Sequence, residues 1–258
     1  MDTKIFDNSL FFAEEGIRSH IGRLLEKGKS TSFDPEKINR AIEEVEKDLG
    51  IRYDAIQKEA IHQAIQNKVF ILTGGPGTGK TTVINGMISV YAQLHQLDLR
   101  KKQDLPILLA APTGRAARRM NELTGLPSAT IHRHLGMTGD DDTSHLEDYL
   151  DADFIIVDEF SMVDTWLANQ LLSNIATDTK LLIVGDADQL PSSALVRSWL
   201  ISCRSQASLR PNSNIFSVRV KIRPLSHLQE TFARASFLKI HRTKSRPLLF
   251  RSRKRTHP

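Results

Sequence analysis

The sequence predicts an α/β fold in which a parallel sheet carries helices on both faces, and three observations support this prediction. Four short, continuous apolar runs are typical of strands that are buried on both faces. Amphipathic stretches separate these runs, and strands that alternate with helices indicate a parallel sheet. Polar or glycine-rich turns follow the runs, at the strand ends where ligands bind in such folds.

The strands are predicted at residues 69–72, 107–111, 154–157 and 181–184, and the helices between them at 80–94, 114–122 and 164–175. A helix over 34–49 is predicted before the first strand, because Asp34 suits the N-cap and Gly50 suits the end. A second helix is predicted from Asp54 to about Asn67. Residues 136–150 are predicted to form an exposed loop.

Composition excludes several classes of protein. A chain of 258 residues with 40% hydrophobic and 25% charged content is typical of one or two globular domains. Its single cysteine, Cys203, cannot form an internal disulfide, which favours a reducing, cytoplasmic setting. The first residues show no apolar signal-peptide run. No segment approaches the roughly 18 apolar residues of a membrane span.

The net charge of +5 is distributed unevenly along the chain. Residues 1–192 hold 20 Lys and Arg against 29 Asp and Glu, a net charge of −9, whereas residues 193–258 hold 15 against one, a net charge of +14. A basic tail of this kind is suited to binding polyanions.

The stretch "GGPGTGKTT" at 74–82 follows the first strand and opens a helix. It matches the pattern G-x-x-x-x-G-K-[ST], in which glycines let backbone amides surround a phosphate chain. Lys80 is predicted to reach the β- and γ-phosphates, and the Thr81 hydroxyl to hold Mg²⁺. A chance match in a glycine-rich turn is the alternative. The predicted phosphate-binding residues are Gly74, Gly75, Pro76, Gly77, Thr78, Gly79, Lys80, Thr81 and Thr82.

Acidic and amide side chains follow two later strands. Asp158 suits Mg²⁺ binding, and Glu159 suits activation of the attacking water. Two acids after a strand also commonly complement a helix dipole, but the upstream phosphate loop favours the catalytic interpretation. Gln189 could place its amide near a γ-phosphate, or it could belong to a polar turn without a function.

Three further stretches give weaker signals. The Gln57 amide could bind an adenine edge, or Gln57 could be the capping-box partner of Asp54. Thr113 and Arg115 begin a helix with further arginines, which is suited to contacts with nucleic-acid phosphates or to a solvated charged face. His132 is a candidate nucleic-acid contact, whereas its spacing from the next histidine gives no metal site.

Taken in order and spacing, "FILTGGPGTGKTT", "LAAPTGRAARRM", "FIIVDEFSMVD" and "LLIVGDADQLPS" resemble the first motor domain of the RecD-like DNA helicases of superfamily 1. The resemblance covers roughly 35–192 and implies a RecA-like P-loop NTPase fold. It also implies ATP and Mg²⁺ as cofactors, single-stranded DNA as partner, and 5′–3′ unwinding in DNA repair or recombination.

The resemblance assigns the candidate residues to the family's motifs. Gln57 falls in the adenine-recognition motif, Lys80 and Thr81 in motif I, and Arg115 in motif Ia. Asp158 and Glu159 fall in motif II, and Gln189 falls in motif III.

Three regions are predicted: an N-terminal helical segment at 1–50, an incomplete motor domain at 51–192, and an Arg/Ser-rich tail at 193–258.

In the resembled family, Val-Gly-Pro-Gly and a Phe-Arg-Gln motif follow "DQLPS". We consider a shifted reading frame that starts at the third base of the Ser193 codon. With suitable synonymous codons for residues 193–197, this frame encodes Ser-Val-Gly-Pro. The same offset across 215–220 permits Ile-Phe-Arg-Gln-Ser. We therefore interpret the tail as an out-of-frame segment and expect it to be disordered.

The function expected is that of an ATP-binding fragment of an ATP-dependent DNA helicase, unable to unwind by itself because the second motor domain is missing. Two alternatives stay open. One is a stand-alone P-loop ATPase whose tail is a genuine basic extension that binds nucleic acid. The other is a non-functional product that folds poorly.

Overall fold

A six-stranded parallel sheet forms the centre of the protein in the computed structural model, which describes residues 8–27, 33–75, 77–101, 105–137, 149–185 and 215–219. The strand order is β3-β2-β4-β5-β1-β6. The strands are β1 (Val69–Thr73), β2 (Ile107–Ala111), β3 (Ser128–Thr130), β4 (Phe154–Val157), β5 (Lys180–Gly185) and β6 (Ile215–Arg219). The predicted α/β fold with a parallel sheet is confirmed.

Seven helices surround the sheet within the described residues. They are α1 (Asn8–Lys27), α2 (Pro35–Leu49), α3 (Ala55–Gln66), α4 (Lys80–Leu94), α5 (Gly114–Thr124), α6 (Ile131–His134) and α7 (Thr165–Ser173), with a 3-10 turn at Phe160–Met162. Helices α2 to α5 cover one face of the sheet, and α1, α6 and α7 cover the other. None of the described helices is both long and apolar enough to cross a membrane.

Successive residues of the central strands contribute to different cores. Phe70 and Leu72 of β1 lie in the core beneath α2 to α4, whereas Val69 and Ile71 lie in the core beneath α1 and α7. Successive side chains of a strand point to opposite faces, so a strand covered on both faces must be apolar throughout. This explains why the strands appear in the sequence as continuous apolar runs.

Local capping signals set the ends of α2. The Asp34 side chain accepts a hydrogen bond from the Glu36 N–H at 3.0 Å, and Pro35 occupies the first helical position. Gly50 ends the helix with φ 64°, in the left-handed region that glycine adopts at little cost. The helix predicted over 34–49 is therefore confirmed together with both of its caps.

The helices of the N-terminal segment pack on opposite faces of the sheet. Helix α1 packs along α7, where Arg23 donates hydrogen bonds to the carbonyls of Leu172 at 3.2 Å and Ile175 at 2.6 Å. A Cβ placed on Gly16 would collide with the Asn169 side chain of α7, so a larger residue at this position would force that side chain to move. Helix α2 packs instead against α3 and α4.

The tail differs from the expectation of disorder at Ile215–Arg219. These five residues form β6, in parallel register with β1 from Val69↔Ile215 to Thr73↔Arg219. The second edge of β1 offers backbone N–H and C=O groups that a strand of almost any sequence can pair with. The chain divides into two compact units, Met1–Ile222 and Arg223–Pro258, and every described residue belongs to the first. The rest of the tail lies outside the described residues.

Candidate active site

The carboxyl ends of β1, β2, β4 and β5 meet at one edge of the sheet, which we call the upper edge. Backbone hydrogen bonds join the turns that follow these strands. The Gly74 N–H donates to the Gly185 carbonyl at 3.4 Å, and the Asp158 N–H donates to the Ala110 carbonyl at 3.0 Å. The turns after β1 and β4 are therefore fixed to neighbouring strands.

The loop after β1 folds through two left-handed glycines. Gly77 and Gly79 both have φ 74°, a conformation that other residues adopt only with strain. The Thr78 hydroxyl donates to the Gly75 carbonyl at 2.8 Å and closes the turn. Pro76 lies outside the described residues. The glycines of the motif are thus needed for the path of the backbone.

The start of α4 has two properties that favour the binding of an anion. Its N-cap is Gly79, which supplies no side-chain hydrogen bond to the first turn. The amides of Lys80, Thr81 and Thr82 have no acceptor one turn earlier in the helix, and the helix dipole adds positive potential there. Both properties favour a phosphate group at this position.

Lys80 is half-buried and directed at the loop. Its Nζ donates to the Gly74 carbonyl at 2.5 Å and to the Gly75 carbonyl at 3.0 Å. A phosphate oxygen is a stronger, charge-assisted acceptor than a carbonyl. The ammonium is therefore held where a ligand phosphate can replace or share these acceptors.

Asp158 follows β4 and is half-buried. Burial raises the pKa of its carboxyl, against the opposing effects of a hydrogen bond from Glu159 N–H and of the charges of Lys80 and Arg119. The Glu159 N–H donates to Asp158 Oδ1 at 2.8 Å. The carboxylate thus lies within electrostatic reach of the phosphate-loop lysine.

Glu159 has a strained backbone. Its φ of 51° and ψ of 35° lie in the left-handed region, which is unusual for a residue other than glycine. Such a conformation costs about 1–3 kcal/mol and is concentrated at functional sites. The Met162 N–H donates to the Glu159 carbonyl at 2.9 Å, which begins the 3-10 turn. No pattern in the sequence indicated this conformation.

The residues at this edge fit a Mg²⁺ ion bound together with a nucleotide. Mg²⁺ takes hard oxygen ligands and is usually held by one or two protein side chains plus phosphate oxygens. The Thr81 hydroxyl and the Asp158 carboxylate supply such oxygens, and Asp158 is partly withdrawn from water. These two residues are the candidates to hold the ion.

Gln57 lies in a different setting from the phosphate loop. Its backbone N–H donates to Asp54 Oδ1 at 2.8 Å, and its Oε1 accepts from the Asp54 N–H at 3.0 Å. The alternative that Gln57 is a capping-box partner is therefore confirmed. The adenine contact stays a prediction. Gln189 lies outside the described residues.

The candidate nucleic-acid residues follow the outer strands of the same edge. The Thr113 hydroxyl accepts the Ala116 N–H at 3.2 Å and caps α5, while Arg115 is exposed in the first turn of that helix. His132 is exposed in α6, whereas the His134 ring Nε2 lies 3.0 Å from the Leu109 carbonyl. Thr113 and Arg115 thus lie at the upper edge, but β4 and β5 separate β2 from the strand that leads into the phosphate loop.

Comparison with known proteins identifies the family of this chain. The AAA domain family model matches residues 57–195, and the chain belongs to this family. Over 171 residues the chain is 37% identical to the RecBCD enzyme subunit RecD of Mycolicibacterium smegmatis, covering 59% of this chain and 30% of that protein. Over 136 residues it is 39% identical to the ATP-dependent RecD2 DNA helicase of Deinococcus radiodurans, covering 52% of this chain and 18% of that one.

The chain is homologous to RecD-type DNA helicases, so the resemblance carried by its motifs is confirmed. It spans less than a third of the length of these curated relatives. Among solved structures, the Pif1 helicase from Candida albicans aligns with a TM-score of 0.42 and 20% identity, over 73% of this chain and 44% of that chain.

Proposed function

We propose that this protein is the ATP-binding motor domain of a DNA helicase, with Mg-ATP bound at the upper edge of the sheet. The observation that carries the proposal is the meeting of three groups at that edge. They are the loop with two left-handed glycines, Lys80 directed at that loop, and the half-buried carboxylate of Asp158. Together they provide a phosphate site and a cation ligand side by side.

Each side chain has a defined role in this proposal. The α4 amides and Lys80 bind the β- and γ-phosphates, while Thr81 and Asp158 hold Mg²⁺, which when bound neutralises charge on the phosphates. Glu159 accepts a proton from the attacking water. Gln57 contacts the adenine, and Gln189 senses the γ-phosphate.

Single-stranded DNA is the proposed second ligand. Thr113, Arg115 and His132 are the proposed contacts, because arginine and hydroxyl side chains position nucleic-acid backbones through phosphate oxygens. Arg115 and His132 are exposed, as such contacts require. The proposal includes a role in DNA repair or recombination, 5′–3′ polarity and a cytoplasmic location, as the motif resemblance implies.

A polypeptide of residues 1–258 is proposed to bind ATP without unwinding DNA. The family match covers one domain, and the curated RecD relative is more than three times as long as the matched part. In motors of this kind, the nucleotide lies between two domains, and a transition-state arginine from the second is worth about 10³–10⁵ in rate where measured in GTPases. Hydrolysis by residues 1–258 alone is therefore expected to be slow.

The test is to purify the 258-residue polypeptide and measure Mg-ATP binding, DNA-stimulated hydrolysis and strand separation. The expected result is saturable Mg-ATP binding with slow hydrolysis and no unwinding, and loss of binding in Lys80→Ala. A protein that folds but binds no Mg-ATP would refute the nucleotide site. DNA-stimulated hydrolysis at ordinary helicase rates would refute the proposal that residues 1–258 alone hydrolyse ATP slowly.

A stand-alone ATPase with a nucleic-acid-binding tail is the second candidate, favoured by the net charge of +14 at 193–258. Backbone binding through such charges weakens steeply with salt. Salt-dependent DNA binding by a peptide of residues 193–258, lost when these residues are deleted from the chain, would support this candidate. Binding retained after the deletion would count against it.

A further inference from the structure

One carboxylate of α2 makes two hydrogen bonds to the segment that begins α3. Glu46 Oε1 accepts the Tyr53 N–H at 2.7 Å, and Glu46 Oε2 accepts a hydrogen bond from Lys58 Nζ at 2.8 Å. The Glu46 side chain is 12% exposed, so both bonds are largely shielded from solvent. Hydrogen bonds to a charged acceptor are roughly twice as strong as neutral ones. Glu46 therefore fixes the start of α3 at two points.

The residues between these two points form the capping box that holds Gln57. The Asp54 N–H donates to Gln57 Oε1 at 3.0 Å, and the Gln57 N–H donates to Asp54 Oδ1 at 2.8 Å. Because Oε1 is engaged by the backbone, the Gln57 Nε2 group is the donor that the amide offers to an acceptor such as N7 of adenine. Tyr53 and Lys58 border the capping box in the chain. A shift of the segment that Glu46 holds would therefore move the Gln57 amide.

Tyr53 also fixes this segment against the helix that begins at the phosphate loop. The Tyr53 side chain is buried, and a Cβ placed on Gly86 of α4 would lie 2.7 Å from its hydroxyl oxygen. The absence of a side chain at Gly86 thus lets the tyrosine approach α4 closely. Gly86 comes six residues after Lys80, which is about 9 Å along the helix. The segment that carries Gln57 is therefore held against the same helix that binds the phosphates in the proposed function.

The topology places Gln57 at the end of α3 that suits a nucleotide contact. Helix α3 ends at Gln66, and β1 begins at Val69 after a short connection. Since helix and strand also pack together, α3 runs roughly antiparallel to β1. Strand β1 runs to the upper edge, so the first turn of α3 lies toward that edge. Glu46 acts on this turn.

We propose that Glu46 is a positioning residue of the nucleotide site, which holds the Gln57 amide in place for the adenine of ATP. It acts through Tyr53 and the capping box and does not touch the nucleotide. This inference rests on the proposed function, in which Gln57 contacts the adenine. Hydrogen bonds weaken steeply when donor and acceptor are misaligned, so a displaced amide loses its contact with the base. Loss of Glu46 is thus expected to weaken base recognition and to leave the phosphate contacts intact.

The experiment uses isothermal titration calorimetry to measure the Kd of the full 258-residue chain for Mg-ATP and for Mg-tripolyphosphate, which has the phosphates without the base. The variants are Glu46→Ala, Gln57→Ala and the double variant. The matched control is Glu43→Ala, which removes an exposed glutamate from the same helix. All titrations are run below the measured melting temperatures, so that each variant is compared in its folded state.

Gln57→Ala is expected to raise the Kd for Mg-ATP by about 3- to 10-fold, the range for one hydrogen bond, and Glu46→Ala to raise it by a similar factor. Adding Glu46→Ala to Gln57→Ala is expected to give no further rise, because the two residues act as one unit. The Kd for Mg-tripolyphosphate is expected to stay unchanged in all variants, and both Kd values in Glu43→Ala. Glu46→Gln keeps an acceptor oxygen for the Tyr53 N–H and is expected to give a smaller rise, so it provides the test if Glu46→Ala does not fold.

The outcomes separate this inference from the function on which it rests. If the wild-type chain folds but binds no Mg-ATP, the proposed function fails. If Gln57→Ala binds Mg-ATP as the wild type does, the adenine contact fails and the inference fails with it. If Gln57→Ala weakens binding and both Glu46 variants do not, the inference alone is overturned. Equal weakening of Mg-ATP and Mg-tripolyphosphate in Glu46→Ala, or a further rise in the double variant, would show a general effect on the fold and would also overturn it.

Discussion

Two lysines at opposite edges of the sheet both donate hydrogen bonds to main-chain carbonyls. We expect one of them to bind a ligand and the other to stabilise the fold. Lys80, at the upper edge, donates to the carbonyls of Gly74 and Gly75. Lys180 begins β5 at the lower edge, where the strands start, and donates to the carbonyls of Ala64 at 3.1 Å, Ile65 at 2.9 Å and Asn67. Both ammonium groups therefore bind main-chain carbonyls, but the surrounding groups differ.

At the lower edge the hydrogen bonds from Lys180 satisfy the last carbonyls of α3. The carbonyls that Lys180 binds lie at the end of α3, where a helix has no further amides to satisfy them. Burial, with the charge of Lys68 alongside, lowers the pKa of Lys180 to about 7. Lysine at this place satisfies acceptors that would otherwise be left without donors.

At the upper edge, the N–H groups in the first turn of α4 outnumber the acceptors that the protein provides for them. Gly79 provides no cap, so the first amides of α4 remain available beside Lys80. A ligand that brings acceptors is stabilised there, whereas the end of α3 already has its donors. The comparison predicts that changes at the upper edge alter nucleotide binding or hydrolysis, and that changes elsewhere alter stability alone.

The largest effect is expected at Glu159. Glu159→Gln removes the proposed general base and should slow single-turnover ATP hydrolysis by about 10²-fold or more, since general bases contribute about 10²–10⁴-fold. Affinity for Mg-ATP should be unchanged. Glu159→Gly should lose the same activity and gain up to about 1 kcal/mol in unfolding free energy, because glycine relieves the left-handed backbone. Hydrolysis retained by Glu159→Gln would contradict the assigned role.

Lys180 is expected to affect stability in a pH-dependent way. Its folded pKa of about 7 is below the usual value of 10.5, so between these values the unfolded chain binds more protons. The stability of the wild type relative to Lys180→Met should therefore rise with pH, by up to about 2 kcal/mol from about pH 7.5 to 9.5. Urea unfolding of both proteins measures this difference. A constant difference across the window would show that Lys180 does not titrate there. Mg-ATP binding should be the same in both proteins.

The pairing of β6 with β1 predicts a smaller loss of stability. In a parallel edge strand, alternate residues donate N–H groups to the neighbour, and proline removes that donor. Of Phe216→Pro and Ser217→Pro in the full chain, one should lower the unfolding free energy by about 1 kcal/mol more than the other. Thermal unfolding of the pair measures the difference. Identical melting temperatures equal to that of the wild type would show that β6 contributes no stability.

Two glycines of α1 give the smallest expected effects, and these have opposite signs. Gly16→Ala places a Cβ against Asn169 and should destabilise the chain by about 1–2 kcal/mol. Gly22→Ala has no atom within 4 Å of the new Cβ and should stabilise the helix by about 0.5–1 kcal/mol. Chemical denaturation distinguishes the two. A stabilising Gly16→Ala would mean that the Asn169 side chain moves aside at little cost.

Much of the fold follows from local signals in the sequence. The bounds of α4, β2 and β4 agree with the prediction, because apolar runs and glycine turns mark their ends. The candidate site was predictable for a topological reason. Parallel strands end at the same edge, so the loop after β1 and Asp158 after β4 had to lie close together.

Other features depend on contacts between distant parts of the chain. The packing of Gly16 against Asn169 joins α1 to α7, and neither helix alone indicates it. Strand β6 pairs through the backbone, which side-chain patterns do not encode. Lys180 appears in the sequence as an ordinary charged residue before an apolar run, and its role depends on where α3 ends. The left-handed Glu159 is likewise imposed by its surroundings.

The most direct test of Mg-ATP binding at the upper edge is the shift in melting temperature that Mg-ATP causes in three proteins: wild type, Lys80→Ala and Lys180→Met. A ligand at about 100 times its dissociation constant stabilises the folded state by about 2.7 kcal/mol. For a chain of this size, that corresponds to roughly 5–10 °C. We expect this shift in the wild type and in Lys180→Met, and no shift in a folded Lys80→Ala protein. A full shift in Lys80→Ala, or its loss in Lys180→Met alone, would contradict a nucleotide site at the upper edge.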